Sequence, residues 1–204
     1  MLIEYEFSNF RSFAEGATLS MRAGTQTTLN ENLIRSGRKR YLPSAVIYGP
    51  NASGKSNIIM SLSLMREIVL QGGIDASTPE LNELGIYPFA YDSTRKLMGF
   101  GVEFENAGKR FKYALMIEVD PFSSKGKRKI VSEVLAMSNE RTLVPLFMRD
   151  ETKVGIQRIK PALDMLGGSE KLLGEFEERI NKNLDPARLF LTNAFKSIVS
   201  SEIA

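Results

Sequence analysis

Apolar and polar positions change period several times along the chain. Ile3, Tyr5 and Phe7 alternate with Glu4 and Glu6, the period-two pattern of a half-buried strand, and Ala17-Thr18-Leu19-Ser20-Met21 is a second strand-like run after a polar turn. The segment ahead of residue 45 therefore predicts an antiparallel hairpin. Ala45-Val46-Ile47-Tyr48 is instead an unbroken run of β-formers, which predicts a short strand buried on both faces of a parallel sheet. From Ser56 to Gln71 the period becomes helical, with Ile58, Ile59, Leu62, Leu64, Met65, Ile68 and Val69 recurring at the spacing of one face.

Alternation returns in the middle of the chain. Phe100–Glu105 and Phe111–Val119 read as paired strands joined by a turn at Asn106-Ala107-Gly108-Lys109, and Ile130–Met137 and Leu143–Met148 are two further strand candidates. Beyond them the period is helical again: Leu172, Leu173, Phe176 and Ile180 stand at helical spacing within Glu170–Leu184, and Pro186–Val199 predicts a second helix with Pro186 near its start. Three segments follow from these changes: 1–75, 76–158 and 159–204.

Candidate chemistry lies at the junction of the apolar run and the first helix. Gly49-Pro50-Asn51-Ala52-Ser53-Gly54-Lys55-Ser56 is a full G-x-x-x-x-G-K-[ST] phosphate loop, with the required strand-like run before it and helix after it. The glycines let backbone N–H groups close on β- and γ-phosphates, and the helix N-terminus adds partial positive charge. Lys55 would bridge the β- and γ-phosphates, and the Ser56 hydroxyl would ligate magnesium. The expected ligands are thus a nucleoside triphosphate, taken as ATP, and Mg2+.

Composition narrows the chemistry further. The 204 residues are 43% hydrophobic and 25% charged, enough for one sizeable core with an appended subdomain. Neither Cys nor His occurs, which excludes thiol catalysis, disulfides, histidine general bases and ordinary zinc sites within the chain. No apolar stretch approaches a membrane span and the N-terminus does not read as a signal peptide, so the expected location is cytoplasmic, with no membrane partner. A net charge of +3 neither demands nor excludes nucleic acid.

The Asn9-Phe10-Arg11-Ser12-Phe13 element after the first strand, together with Tyr48-Gly49-Pro50-Asn51-Ala52-Ser53-Gly54-Lys55-Ser56-Asn57, resembles the start of ABC-type ATPases of the RecF/SMC class. Within that class it is most similar to the AAA-type, OLD-like ATPases of bacterial antiphage and toxin–antitoxin loci; Asn51 and Asn57 beside the loop are typical of it. The resemblance implies an α/β P-loop NTPase fold, the N-terminal lobe of an ABC-type head, with an antiparallel β-subdomain and C-terminal helices that form the root of a helical insertion. It further implies heads that dimerise around ATP, coupling to an effector such as a nuclease or toxin in antiviral defence or DNA transactions, and Arg11 near the nucleotide. Arg11 also reads as a solvated arginine at a strand end.

Leu115-Met116-Ile117-Glu118-Val119-Asp120 ends an apolar run in carboxylates, as a Walker B strand does. Its alternation instead places Lys112, Glu118 and Asp120 on one face of an antiparallel strand, opposite Phe111, Tyr113, Leu115, Ile117 and Val119. Gly167-Gly168-Ser169 inverts the Ser-Gly-Gly order of the ABC signature and reads as a helix stop followed by a cap. The signature, Walker B strand and switch histidine of a complete head are not found before Ala204. Three explanations stand open: the chain is part of a longer protein, a partner supplies the second half, or the chain binds nucleotide without turnover as a scaffold. A small stand-alone P-loop enzyme is a weaker alternative, with Glu118 or Asp120 as the magnesium ligand.

Two basic runs, Arg35-Ser36-Gly37-Arg38-Lys39-Arg40 and Lys125-Gly126-Lys127-Arg128-Lys129, read either as solvated loops or as parts of a phosphate-backbone footprint.

Overall fold

The computed structural model describes residues 1–25, 29–75, 77–92, 94–120, 128–139, 142–158, 160, 163 and 170–195. Strands β1 (Leu2–Ser8), β2 (Ala17–Ser20), β5 (Leu97–Asn106), β6 (Lys109–Val119), β7 (Arg128–Asn139), β8 (Thr142–Arg149) and β9 (Val154–Ile156) form one sheet in the order β2-β1-β5-β6-β7-β8-β9. Every neighbouring pair in it is antiparallel. Strands β1 and β2, from before the phosphate loop, thus share a sheet with those after it. A separate hairpin joins β3 (Ile34–Ser36) to β4 (Lys39–Tyr41). The helices are α1 (Lys55–Gln71), α2 (Pro79–Leu84), α3 (Glu170–Lys182) and α4 (Phe190–Asn193). The protein is a mixed α/β structure with a mostly antiparallel sheet.

Alternation along the strands decides which face is buried. Tyr5, Phe7, Met98, Phe100, Leu115 and Ile117 point to one side and pack with Leu64, Met65 and Ile68 of α1. Each such side chain contributes about 1.5–3 kcal/mol on full burial. Tyr5↔Val102, Phe7↔Phe100 and Phe100↔Leu115 are cross-strand partners, so one row of aromatic and aliphatic groups crosses three strands.

The run Ala45–Tyr48 departs from its expectation. It is neither buried nor paired in any ladder among the described residues: Val46 is 84% exposed and Tyr48 89%. A strand without alternation needs a parallel neighbour on each side and cover on both faces. The main sheet is antiparallel and closes without this segment. The far side of α1 is correspondingly bare, with Ile59 54% and Leu70 61% exposed.

The predicted helix over Pro186–Val199 is also corrected. Helix begins only at Phe190, and residues 196–199 lie outside the described residues. Pro186, Ala187 and Leu189 use their backbone elsewhere: the Ile130 N–H donates to Pro186 O (2.8 Å), Ile74 N–H to Ala187 O (2.8 Å) and Leu189 N–H to Gly72 O (2.9 Å). These bonds hold a turn at Asp185–Arg188 against β7 and the end of α1. Gly73 permits the approach, since a Cβ there would lie 2.3 Å from Ala187 O. The predicted helix from Glu170 is present as α3, whereas Gly167-Gly168-Ser169 lies outside the described residues.

A buried polar group fixes the same segment to the sheet. Glu133, fully buried on β7, accepts the N–H groups of Phe190 (2.7 Å) and Leu191 (2.8 Å) and the Tyr113 hydroxyl (3.1 Å). Arg149 lies 3.7 Å from its carboxylate and donates to the carbonyls of Arg188 and Asp185. Desolvation raises the Glu133 carboxyl above its ordinary value, although the two N–H donors, Arg149 and Tyr113 oppose the shift.

Candidate functional site

The phosphate loop leads directly into α1. Gly54 is the N-cap at φ 90°, a left-handed conformation that suits glycine, and α1 has neither a side-chain cap nor an acid in its first turn. The Asn57 N–H donates to Gly54 O (2.9 Å), while those of Lys55 and Ser56 keep their capacity for an external acceptor, and the helix dipole makes an anion the favoured one. Ala52 also adopts positive φ (63°), a conformation that costs a non-glycine residue about 1–2 kcal/mol and places strain at the loop's turn.

Lys55 folds back over the loop, its Nζ donating to the carbonyls of Gly49 (2.9 Å) and Pro50 (2.7 Å). These bonds place the ammonium across the loop's mouth without burying it. Pro50, Asn51, Ala52, Ser53 and Ser56 are exposed, and the Ser53 N–H reaches Pro50 O at 3.4 Å. Backbone donors, an ammonium and the Ser56 hydroxyl are the donor set a triphosphate with magnesium needs. Gly49–Ser56 would hold the phosphates, and Ser56 the metal. Among the described residues no group of three or more Asp, Glu, His or Cys could hold a cation by itself. Magnesium would rest on Ser56, water and the phosphates, its usual mode with nucleotides. The bound metal would neutralise phosphate charge.

The Asn9–Phe13 turn braces the loop from behind. Asn57 Nδ2 donates to Ser12 Oγ (2.7 Å), and the Ser12 hydroxyl and Phe13 ring sit so close to Gly54 that a Cβ there would meet both at 3.1 Å. Phe13 packs edge-on against Phe7 of β1 (4.9 Å), linking the loop to the core. Asn9 shapes the turn: at φ 52°, a region Asn tolerates, its side chain donates to Arg95 O (2.8 Å) and Leu97 O (2.9 Å) and accepts from the Phe89 N–H (3.0 Å). Asn9→Ala would leave these partners unpaired next to a buried position. The expected cost is about 2–3 kcal/mol of stability, read from the denaturation midpoint; an unchanged midpoint would show that the turn holds without it.

Arg11 takes other partners than this bracing contact. Its guanidinium donates to Leu84 O (2.6 Å) and Met60 Sδ (3.2 Å) and lies over the rings of Phe10 (5.4 Å) and Tyr87 (5.8 Å). The partners in the structure are thus protein groups on α1, α2 and the following loop. The carboxylates considered for magnesium are engaged as well: Asp120 pairs with Lys96 (3.2 Å) and Glu118 with Lys129 (2.9 Å). Strand β6 lies between β5 and β7 in antiparallel register, as its alternation predicts.

Residues 44–158 match the family described as "AAA domain, putative AbiEii toxin, Type IV TA system". The chain belongs to this family. The matched span contains the phosphate loop, α1, α2 and strands β5 to β9, so the loop is that of an AAA-type P-loop ATPase domain. The bracing turn and β1 precede the matched span yet pack on it. No curated protein matches the chain. Among the described residues, no helix is long and apolar enough to cross a membrane.

The β3–β4 hairpin, α2, β9 and the contact between Ser12 and Asn57 have no counterpart among the sequence-predicted features. The β3–β4 hairpin was masked by its charges, although Ser36-Gly37 between two short runs is a turn signal. The Ser12–Asn57 contact had no signal, because the two residues are remote in sequence.

Proposed function

We propose that this AAA-domain protein is the ATP-binding part of an ABC-type head of the RecF/SMC, OLD-like class. In this reading it pairs with a second head around ATP and couples that state to an effector, a nuclease or toxin, in antiviral defence. The observation that carries it is the uncapped N-terminus of α1 behind a complete phosphate loop, braced through Asn57 and Gly54 by the Asn9–Phe13 turn. Exposed loop residues Asn51, Ala52, Ser53 and Ser56 suit a nucleotide capped by another surface. The bare Val46 and Tyr48 support a site completed by a further β-element.

Light scattering after gel filtration tests the pairing. A doubled mass in ATP and magnesium, absent in ADP, is expected; a monomer at saturating bound ATP would refute dimerisation. A second reading, a scaffold that binds ATP without turnover, is favoured by the engagement of Glu118 and Asp120 with lysines. Phosphate release separates the two: turnover that appears only with a second polypeptide supports a composite site, and none under any combination supports the scaffold.

A further inference from the structure

The structure treats the two basic runs differently. Lys125, Gly126 and Lys127 of the second lie outside the described residues; its Lys129 is paired with Glu118 (2.9 Å) and Glu151 (2.8 Å), and its Arg128 is half-buried beside Asn82. The first run forms the β3–β4 hairpin, in which Arg35 faces Arg40 and Ser36 faces Lys39 around a two-residue Gly37-Arg38 turn. This tip does not stand alone. Ser36 Oγ donates to Glu105 Oε2 (2.7 Å), which fastens it to the end of β5, beside Lys109 and Arg110 at the start of β6.

Charge accumulates where the tips meet. The acids there are already engaged: Glu103 holds both Arg22 (2.6 Å) and Arg110 (3.2 Å), and Glu105 accepts the Ser36 hydroxyl. Arg35, Arg38, Lys39 and Lys109 are exposed, and none has a carboxylate within salt-bridge distance among the described residues. Desolvation, then the cations Arg110 and Arg22, lower the Lys39 ammonium below its ordinary value, with Glu103 and Glu105 opposing the shift.

We propose that the joined tips of the β3–β4 and β5–β6 hairpins form a docking platform for the phosphodiester backbone of a nucleic-acid duplex, with Arg35, Arg38, Lys39 and Lys109 as phosphate contacts. Four exposed cations without a salt bridge among the described residues, from two adjacent hairpin ends, match a polyanion whose charge repeats along a rod. Among the described residues the exposed aromatic side chains, Tyr48, Tyr87 and Tyr91, belong to other segments, so none of them offers the tips a platform for stacking unpaired bases. They also lack the buried aromatic or aliphatic anchor on which protein interfaces rely. A backbone grip of this kind is independent of base sequence.

The platform is separate from the ATP site. The phosphate loop is braced by residues that follow β1, where Ser8 pairs with Gly99, whereas the tips lie beyond Asn106 at the other end of β5. Ten residues of strand set these ends about 30 Å apart.

Fluorescence anisotropy of a labelled duplex of arbitrary sequence, titrated with the full chain, tests the proposal. Four phosphate contacts predict that affinity falls about a hundredfold between about 50 and 200 mM NaCl. The variant R35A/R38A/K39A/K109A should lose at least about tenfold in affinity and flatten the log–log salt slope by about 3–4. It should keep its melting temperature and ATP affinity, while R128A/K129A binds the duplex as the parent does. Equal retention of DNA and RNA duplexes would support a backbone grip. The proposal is overturned by absence of duplex binding at the lowest salt, by an unchanged salt slope in the quadruple variant, by tighter binding of a single strand, or by polyglutamate binding in place of the duplex.

Discussion

Lys55→Ala is expected to weaken ATP binding by at least about a hundredfold while leaving the fold intact. The ammonium sits over the loop, and its partners, the carbonyls of Gly49 and Pro50, belong to the loop itself. A charge-assisted bond contributes about 1.5–3 kcal/mol, and contact with two phosphates would place the loss near 3 kcal/mol or above, about two powers of ten in affinity. Both carbonyl partners are in a solvent-accessible loop, so water replaces the ammonium and little stability is lost. Calorimetric titration with ATP and magnesium, beside a thermal melt, checks both halves. Wild-type affinity in a folded Lys55→Ala protein would remove the phosphate-loop assignment.

Arg149→Leu is expected to produce the largest loss of stability. The substitution leaves the Glu133 carboxylate buried without its cation and the Asp185 and Arg188 carbonyls without their donor. Breaking a buried pair from one side costs about 3–5 kcal/mol, which for a chain of this size lowers Tm by roughly 10 °C. The double variant Arg149→Leu/Glu133→Gln should recover part of it, because the amide removes the stranded charge. A melt of Arg149→Leu at the parent's temperature would show that the pair is dispensable.

The same site sets a pH dependence. Burial raises the folded Glu133 carboxyl above its ordinary 4.5, so the folded state holds this proton more tightly than the unfolded one. The stabilising contribution is complete below 4.5 and is lost as pH rises through the folded value. In Arg149→Leu the carboxylate lacks its cation, and destabilisation should shrink on acidification. Melts across that interval measure it.

Legibility in the sequence varied with how local each cause is. Strands β1, β5 and β6 were readable because one face meets the core and the other meets charged residues, so Phe111, Tyr113, Leu115, Ile117 and Val119 announce their own burial. The helices α1 and α3 were readable for the same reason at a different period. Ala45–Tyr48 looked buried because its composition suits a parallel strand, yet burial requires neighbours and none pairs with it among the described residues. Pro186 looked like a helix start, but Gly72, Ile74 and Ile130 claim the backbone around it.

The candidate site divides in the same way. The loop's residue types follow from what a phosphate requires, and they stand contiguous at 49–56, so the sequence by itself determined the phosphate-loop motif, the lack of thiol and imidazole groups in the chain, and most of the described strands. Contacts between remote segments have no local signature, because a side chain's partner is set by how the chain returns to it. Only the tertiary structure decided that Ser12 and Phe13 brace Gly54, that Arg11 rests on Leu84 and Met60, and that Lys129 is paired with Glu118 and Glu151 while Arg35, Arg38 and Lys39 join Lys109 at an exposed hairpin end.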